Sequence, residues 1–171
     1  MPKADPRQLH GVLVLNKPTG PTSNWCLMAI KRLGQKKIGH AGTLDPLAAG
    51  VLVVLLGEAT KIAPYVMAGE KTYVGELRLG QTTDTYDSQG TVTSEAPWQH
   101  LSPQAIGQAI EAWREETNQE VPPYSAAKHQ GRPLYELARK GLAAPVKQKD
   151  ISVFDARIEH IDPPSATFRV R

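Results

Sequence analysis

The sequence predicts a globular domain of mixed α and β class, and three observations carry that expectation. Two apolar runs of strand length, GVLVLN at 11–16 and VLVVLL at 51–56, are bounded by turn residues. Residues 72–79, TYVGELRL, alternate between two unlike faces, the mark of a strand. Ser102 and Pro103 open a segment in which Ile106, Ala109, Ile110 and Trp113 recur at helical spacing, read as core. The chain has 171 residues, 40% apolar and 22% charged. A domain of that size buries roughly 70% of its unfolded surface and needs no staple to fold.

Taken in order, 11–16 reads as a buried strand and KPTGPT after it as a turn. Ser23 is placed to cap a helix running to about Leu33, with Leu27, Ile30 and Leu33 on its buried side and Gly34 past its end. Lys31 and Arg32 fall in the last turn, where cations suit the helix dipole. A glycine-rich loop leads to 51–56, a second central strand closed by Gly57. In the segment 72–79, Tyr73, Gly75, Leu77 and Leu79 share the apolar face. A polar turn region at 81–90 precedes a short strand near 91–93, and the helix from Ser102 follows. The chain closes with strands at 151–158 and 166–170 joined by a DPPS turn.

The loop 39–50, GHAGTLDPLAAG, holds one carboxylate, Asp45, among glycines and apolar residues. Beside Leu44, Pro46 and Leu47 that carboxylate should be poorly solvated, so that it needs a cation from elsewhere or titrates upward; either outcome marks a site. Glycines permit an unusual backbone path and Pro46 biases Asp45 away from helical geometry. The plainer alternative is a turn aspartate bonding its own backbone. His40 could orient Asp45 or simply hydrogen-bond within the loop, and ranks as a binding candidate.

Charge is uneven. Residues 1–40 carry seven basic groups against Asp5, residues 41–120 four basic against eleven acidic, and residues 121–171 nine basic against five acidic, for a net +3. Basic ends that met in space would suit a polyanion such as RNA; solvated surfaces without a partner are the alternative. The segment 122–141, PPYSAAKHQGRPLYELARKG, mixes Tyr124, Tyr135 and His129 with Lys128, Arg132, Arg139 and Lys140, a blend that stacks on bases and grips phosphates, or else an exposed short helix and loop.

Several classes are excluded. Cys26 is the single cysteine, so there is no disulfide framework or multi-cysteine metal site, in keeping with a reducing cytosol. The five histidines show no ligand spacing, which argues against a metal. No phosphate-cradling glycine motif, G-x-S-x-G or H-E-x-x-H occurs. The N-terminus is polar and the apolar runs are too short to span a bilayer, so the expectation is a cytoplasmic protein with no membrane partner.

LVLNKPTGPTS, GHAGTLDPLAAGVL, LGEATK, KTYVGELRLGQTTDT and PPYSAAKHQGRPLYELARKG, in that order over about residues 11–160, resemble the bacterial tRNA pseudouridine synthase B (TruB) family. The resemblance implies an α+β fold around a mixed, largely antiparallel sheet with flanking helices and a central cleft. It also implies isomerisation of uridine 55 in the T-loop of tRNA to pseudouridine, by a monomer with no metal or organic cofactor. Asp45 would be the nucleophile and Tyr73 the residue stacked on the flipped-out base. His40 would lie near the displaced nucleotides, with Lys17, Pro18 and Lys61 supporting the loop or contacting RNA. Lys128 and Arg132 would belong to a mobile insertion, 122–146, that closes on the tRNA stem-loop.

One departure bears on activity. Relatives continue into a G-T-Y-I-R segment, whose arginine pairs with the aspartate and whose tyrosine lines the pocket, and then into a C-terminal RNA-binding domain. This sequence stops at Arg171, and neither Arg169 nor Arg171 occupies that arginine's place. The expectation is a truncated catalytic domain, inactive or impaired by itself. Two other readings stand beside it: a non-catalytic RNA-binding module, and a relative that modifies ribosomal RNA under a guide.

Overall fold

The computed structural model describes residues 8–122, 125, 128–129, 132–134 and 148–171. Its contacts divide the chain into two compact units, 1–70 and 71–171. Every strand ladder among the described residues is antiparallel, and helices are few, as a mixed α+β class requires.

In the first unit, β1 (Gly11–Lys17), β2 (Ile38–His40) and β3 (Gly50–Leu56) form a sheet in the order β1-β3-β2. The helix α1 (Ser23–Arg32) covers one face. Alternation along β3 sends Leu52, Val54 and Leu56 to that face, where they meet Cys26 and Leu27 of α1, with Leu15, Ile30, Ile38 and Leu44 packed around them. After β3 come a 3₁₀ turn, Gly57–Ile62, and a short helix, α2 (Ala63–Met67).

Three expectations for this unit are corrected. The run at 11–16 is not buried throughout: Val12 and Val14 stay more than half exposed, because α1 covers only one face of the sheet. Leu33 is 88% exposed rather than core, since it terminates α1: its N–H bonds back to Ile30 C=O and the next N–H, of Gly34, to Lys31 C=O. The helix cap is Thr22, whose hydroxyl accepts from Trp25 N–H at 3.1 Å, which frees the adjacent Ser23 for another task.

In the second unit, β4 (Tyr73–Arg78), β11 (Ala156–Asp162) and β12 (Ser165–Val170) form a sheet in the order β11-β12-β4. Opposed residues in an antiparallel ladder share a face, so Tyr73, Gly75 and Leu77 lie with Val170, Phe168 and Ala166, the face expected for Tyr73. The helix α3 (Pro103–Glu111), capped by Ser102, contacts β11, and the turn after it brings the Trp113 ring edge-on to Phe168 at 5.1 Å.

Pairing departs from the sequence reading at three places. The region at 81–90 is not all turn: β5 (Gln81–Thr83) pairs with β6 (Val92–Glu95), and Gln81 bonds Glu95. The penultimate strand starts at Ala156 rather than at 151, while β10 (Gln148–Asp150) instead pairs with β7 (Asn118–Glu120). Two short strands, β8 (Lys128–His129) and β9 (Arg132–Pro133), pair with each other; the remainder of the 122–146 insertion lies mostly outside the described residues.

Candidate functional site: the aspartate loop

The loop between β2 and β3 is held by the end of β1 and the segment that follows it. Ser23 Oγ donates to Leu44 C=O and accepts from Leu44 N–H, both at 2.9 Å. Gly20 N–H donates to Pro46 C=O at 2.7 Å, and the Lys17 ammonium donates to Ala48 C=O at 2.6 Å and Pro18 C=O at 3.0 Å. Residues 44, 46 and 48 are thereby fixed from one side, and Ala48 N–H closes a turn on Asp45 C=O at 3.1 Å. Gly42 and Gly50, with φ of +115° and +129°, sit at the two ends of this path in conformations that a side chain would strain.

Asp45 stands exposed between these clamps. Its apolar neighbours do not desolvate it: Leu44 turns inward onto the α1 core, and the carboxylate is left pointing away. The expectation of a poorly solvated group is therefore corrected. Among the described residues no cation pairs with the Asp45 carboxylate, and it does not bond its own backbone as a turn aspartate would. The loop's hydrogen bonds are carried by other residues, so the carboxylate is free to act outward.

Lys17 is fully buried, with its ammonium on two carbonyls; it braces the loop and offers no surface to RNA, which corrects its place among RNA-binding residues. His40 ends β2, not a glycine turn, and its Nδ1 is buried without a hydrogen-bond partner among the described residues. Lys61 is exposed on the 3₁₀ turn and pairs with Glu58, which also takes Lys37 at 2.8 Å. The two ammonium groups, Lys37 first, hold the Glu58 carboxyl down to about 2, and Glu58 in turn raises Lys61. Lys61 therefore keeps its charge but shares it.

Tyr73 belongs to the second unit, half-exposed at the start of β4. Lys128 and Arg132 lie in β8 and β9. Arg169 is engaged by Glu159 across the β11-β12 ladder, so it is committed locally. A cavity of about 490 Å³ in this unit, lined by Arg78, Gln81, Glu95, Trp98 and Pro164 among others, includes none of the expected site residues. Among the described residues no cluster of three or more His, Cys, Asp or Glu could hold a metal ion, and no helix is long and apolar enough to cross a membrane.

Sequence reasoning missed Ser23, which it spent on the helix cap. The signal was present in the Thr22-Ser23 pair: one hydroxyl suffices to cap a helix, and the second, buried, must find a partner elsewhere.

The chain is a mixed α+β protein that carries one outward carboxylate on a loop braced through its backbone. Residues 31–171 match the family described as TruB family pseudouridylate synthase (N terminal domain). The chain is 61% identical over 166 residues to tRNA pseudouridine synthase B of Nitratidesulfovibrio vulgaris (strain DSM 19637 / Miyazaki F), covering 96% of this chain and 54% of that protein. It is 56% identical to the protein of the same name from Oleidesulfovibrio alaskensis, covering 95% and 53%. Among solved structures it resembles the crystal structure of a Cbf5-Nop10-Gar1 complex, with 27% identity and a TM-score of 0.64 over 94% of this chain and 39% of that one. The chain belongs to the TruB family of pseudouridylate synthases. It spans about half the length of the curated relatives it matches.

Proposed function

We propose that the chain is the catalytic portion of a tRNA pseudouridine synthase that isomerises uridine 55 of the T-loop, with Asp45 as nucleophile. The observation that carries the reading is the loop itself: three backbone clamps hold residues 44–48 while the one carboxylate among them stays exposed. Chemistry of this kind needs an oxygen nucleophile held in place before substrate arrives. The carboxylate attacks the target nucleotide, the N1–C1′ glycosidic bond breaks, and the uracil turns. Its C5 then bonds to C1′, the bond to the carboxylate breaks, the C5 proton leaves and N1 takes up a proton, so the enzyme is regenerated and the product is an isomer of the substrate.

Because Asp45 is open to solvent in the free protein, water has to be excluded by the RNA and by other parts of the protein when they close over it. The target base must leave its stack to reach the carboxylate, and Tyr73, half-exposed on an apolar sheet face, supplies a ring on which it can lie. Identity of 61% to a relative named for tRNA, against 27% to a Cbf5 chain, supports a tRNA substrate over a guide-directed ribosomal one.

The test is to map pseudouridine in total RNA from cells lacking the gene, then from cells given back wild type or Asp45→Asn. The reading expects loss confined to the tRNA T-loop, restored by wild type and not by the variant, with RNA binding retained. Loss at ribosomal positions would move the substrate to the guide-directed class. Restoration by Asp45→Asn would leave only an RNA-binding module.

A further inference from the structure

We infer that Ser23 is a positioning residue for Asp45, an assignment that rests on the proposed role of Asp45 and extends it to the residue that aims the carboxylate. Ser23 is 1% exposed, and its single hydroxyl serves both backbone groups of Leu44, donating to the carbonyl and accepting from the N–H, each at 2.9 Å across a separation of 21 residues. A hydroxyl has one proton to give and lone pairs to receive with, and here it spends both on the residue immediately before Asp45. The two bonds pin the peptide units on either side of Leu44, so the Cα of Asp45 inherits a fixed place and direction.

The helix does not need this hydroxyl, because Thr22 caps α1. The core does not need it either: Leu44 already packs there through its side chain. The other two clamps act further along, at Pro46 and Ala48, and Ala41 N–H on Val53 C=O acts earlier, so Ser23 makes the hydrogen bonds nearest the nucleophile on its N-terminal side. Displacement of a reacting group by about 1 Å can cost on the order of 100-fold in rate, whereas binding of a large RNA is spread over many contacts and is insensitive to it. The effect of losing Ser23 should therefore fall on the chemical step.

The experiment compares wild type, Ser23→Ala, Thr22→Ala and Asp45→Asn by three readouts: single-turnover conversion of a T-stem-loop RNA, the Kd for that RNA, and amide hydrogen exchange at Leu44 and Ala48. Ser23→Ala is expected to slow conversion roughly 10- to 100-fold with Kd within about threefold, and to speed exchange at Leu44 by about tenfold or more. Thr22→Ala removes a cap from the same helix end and is expected to lower the melting temperature while keeping the rate, which separates positioning from general loosening. If Ser23→Ala does not fold, Ser23→Cys keeps the volume with far weaker hydrogen bonding and takes its place. A Ser23 variant that converts RNA as fast as Thr22→Ala, or leaves exchange at Leu44 unchanged, overturns the inference. If wild type converts the RNA and Asp45→Asn converts it equally fast, the functional reading has failed; whatever the conversion rate, the exchange at Leu44 decides whether Ser23 holds the loop.

Discussion

The Phe168 ring occupies the space where a side chain on Gly75 would stand: a Cβ there would lie 2.6 Å from Phe168 Cζ. The two residues are register partners on β12 and β4, and the same ring takes the edge of Trp113 at 5.1 Å and 83°, so it is held from both sides.

Gly75→Ala is therefore expected to destabilise the protein by about 1–3 kcal/mol, the usual cost of overpacking a filled core. Gly107 is the internal control: it lies in α3, and a Cβ there would meet nothing within 4 Å. Gly107→Ala should stabilise by about 0.5–1 kcal/mol, because it removes a flexible residue from a helix interior. Urea unfolding of the two variants checks both signs, and a neutral Gly75→Ala would contradict the packing of Phe168 on β4.

Lys17→Met keeps the buried apolar stem and deletes the ammonium that serves Ala48 and Pro18 carbonyls. Leaving those acceptors unpaired should cost about 1–3 kcal/mol. The slope of RNA affinity against salt should stay the same, since a fully buried lysine neutralises no phosphate. An RNA-contact role would give the reverse: normal stability and a salt slope shallower by about one. Unfolding midpoints and a salt titration of RNA binding separate the two.

Acid should act on the first unit through Glu58. Its folded-state pKa, about 2, lies below the ordinary 4.5, so the pairing with Lys37 and Lys61 contributes fully above about 4.5 and is lost as pH falls toward 2. The melting temperature of wild type should exceed that of Glu58→Gln at neutral pH, and the gap should close across that window. Because the groups are exposed, the gap is small and shrinks further in 1 M salt, roughly one Debye length of 3 Å. A gap that persists at the acid end would show that Glu58 works through packing rather than charge.

Much of this was legible in the sequence where the cause is local. Apolar alternation located β4, the Ser102-Pro103 start located α3, and the glycine and proline pattern around Asp45 located the loop. Features set by distant partners were not legible. Gln81–Thr83 carries no apolar alternation and becomes a strand because 92–95 lies beside it, with Gln81 bonded to Glu95. The strand expected from 151 begins at 156 because Phe154 and Asp155 N–H groups bond Arg171 C=O, while 148–150 is drawn to 118–120. Asp45 read as desolvated because its sequence neighbours are apolar, yet solvation depends on where those side chains turn, and Leu44 turns inward.

His40 presents a cost without an evident structural return. Its Nδ1 is buried with no hydrogen-bond partner among the described residues, an arrangement that penalises folding by about 1–3 kcal/mol. The buried Nδ1 itself offers RNA nothing, so on the proposed function the RNA contact that the resemblance implies for His40 falls to the remainder of its partly buried ring. His40→Leu removes the orphaned atom at similar bulk. The variant should melt at or above the wild-type temperature while pseudouridine formation falls about tenfold or more, the size of one lost positioning contact. Thermal unfolding and single-turnover conversion measure the two halves. A drop in stability of more than about 2 kcal/mol with turnover preserved would make His40 a packing residue instead.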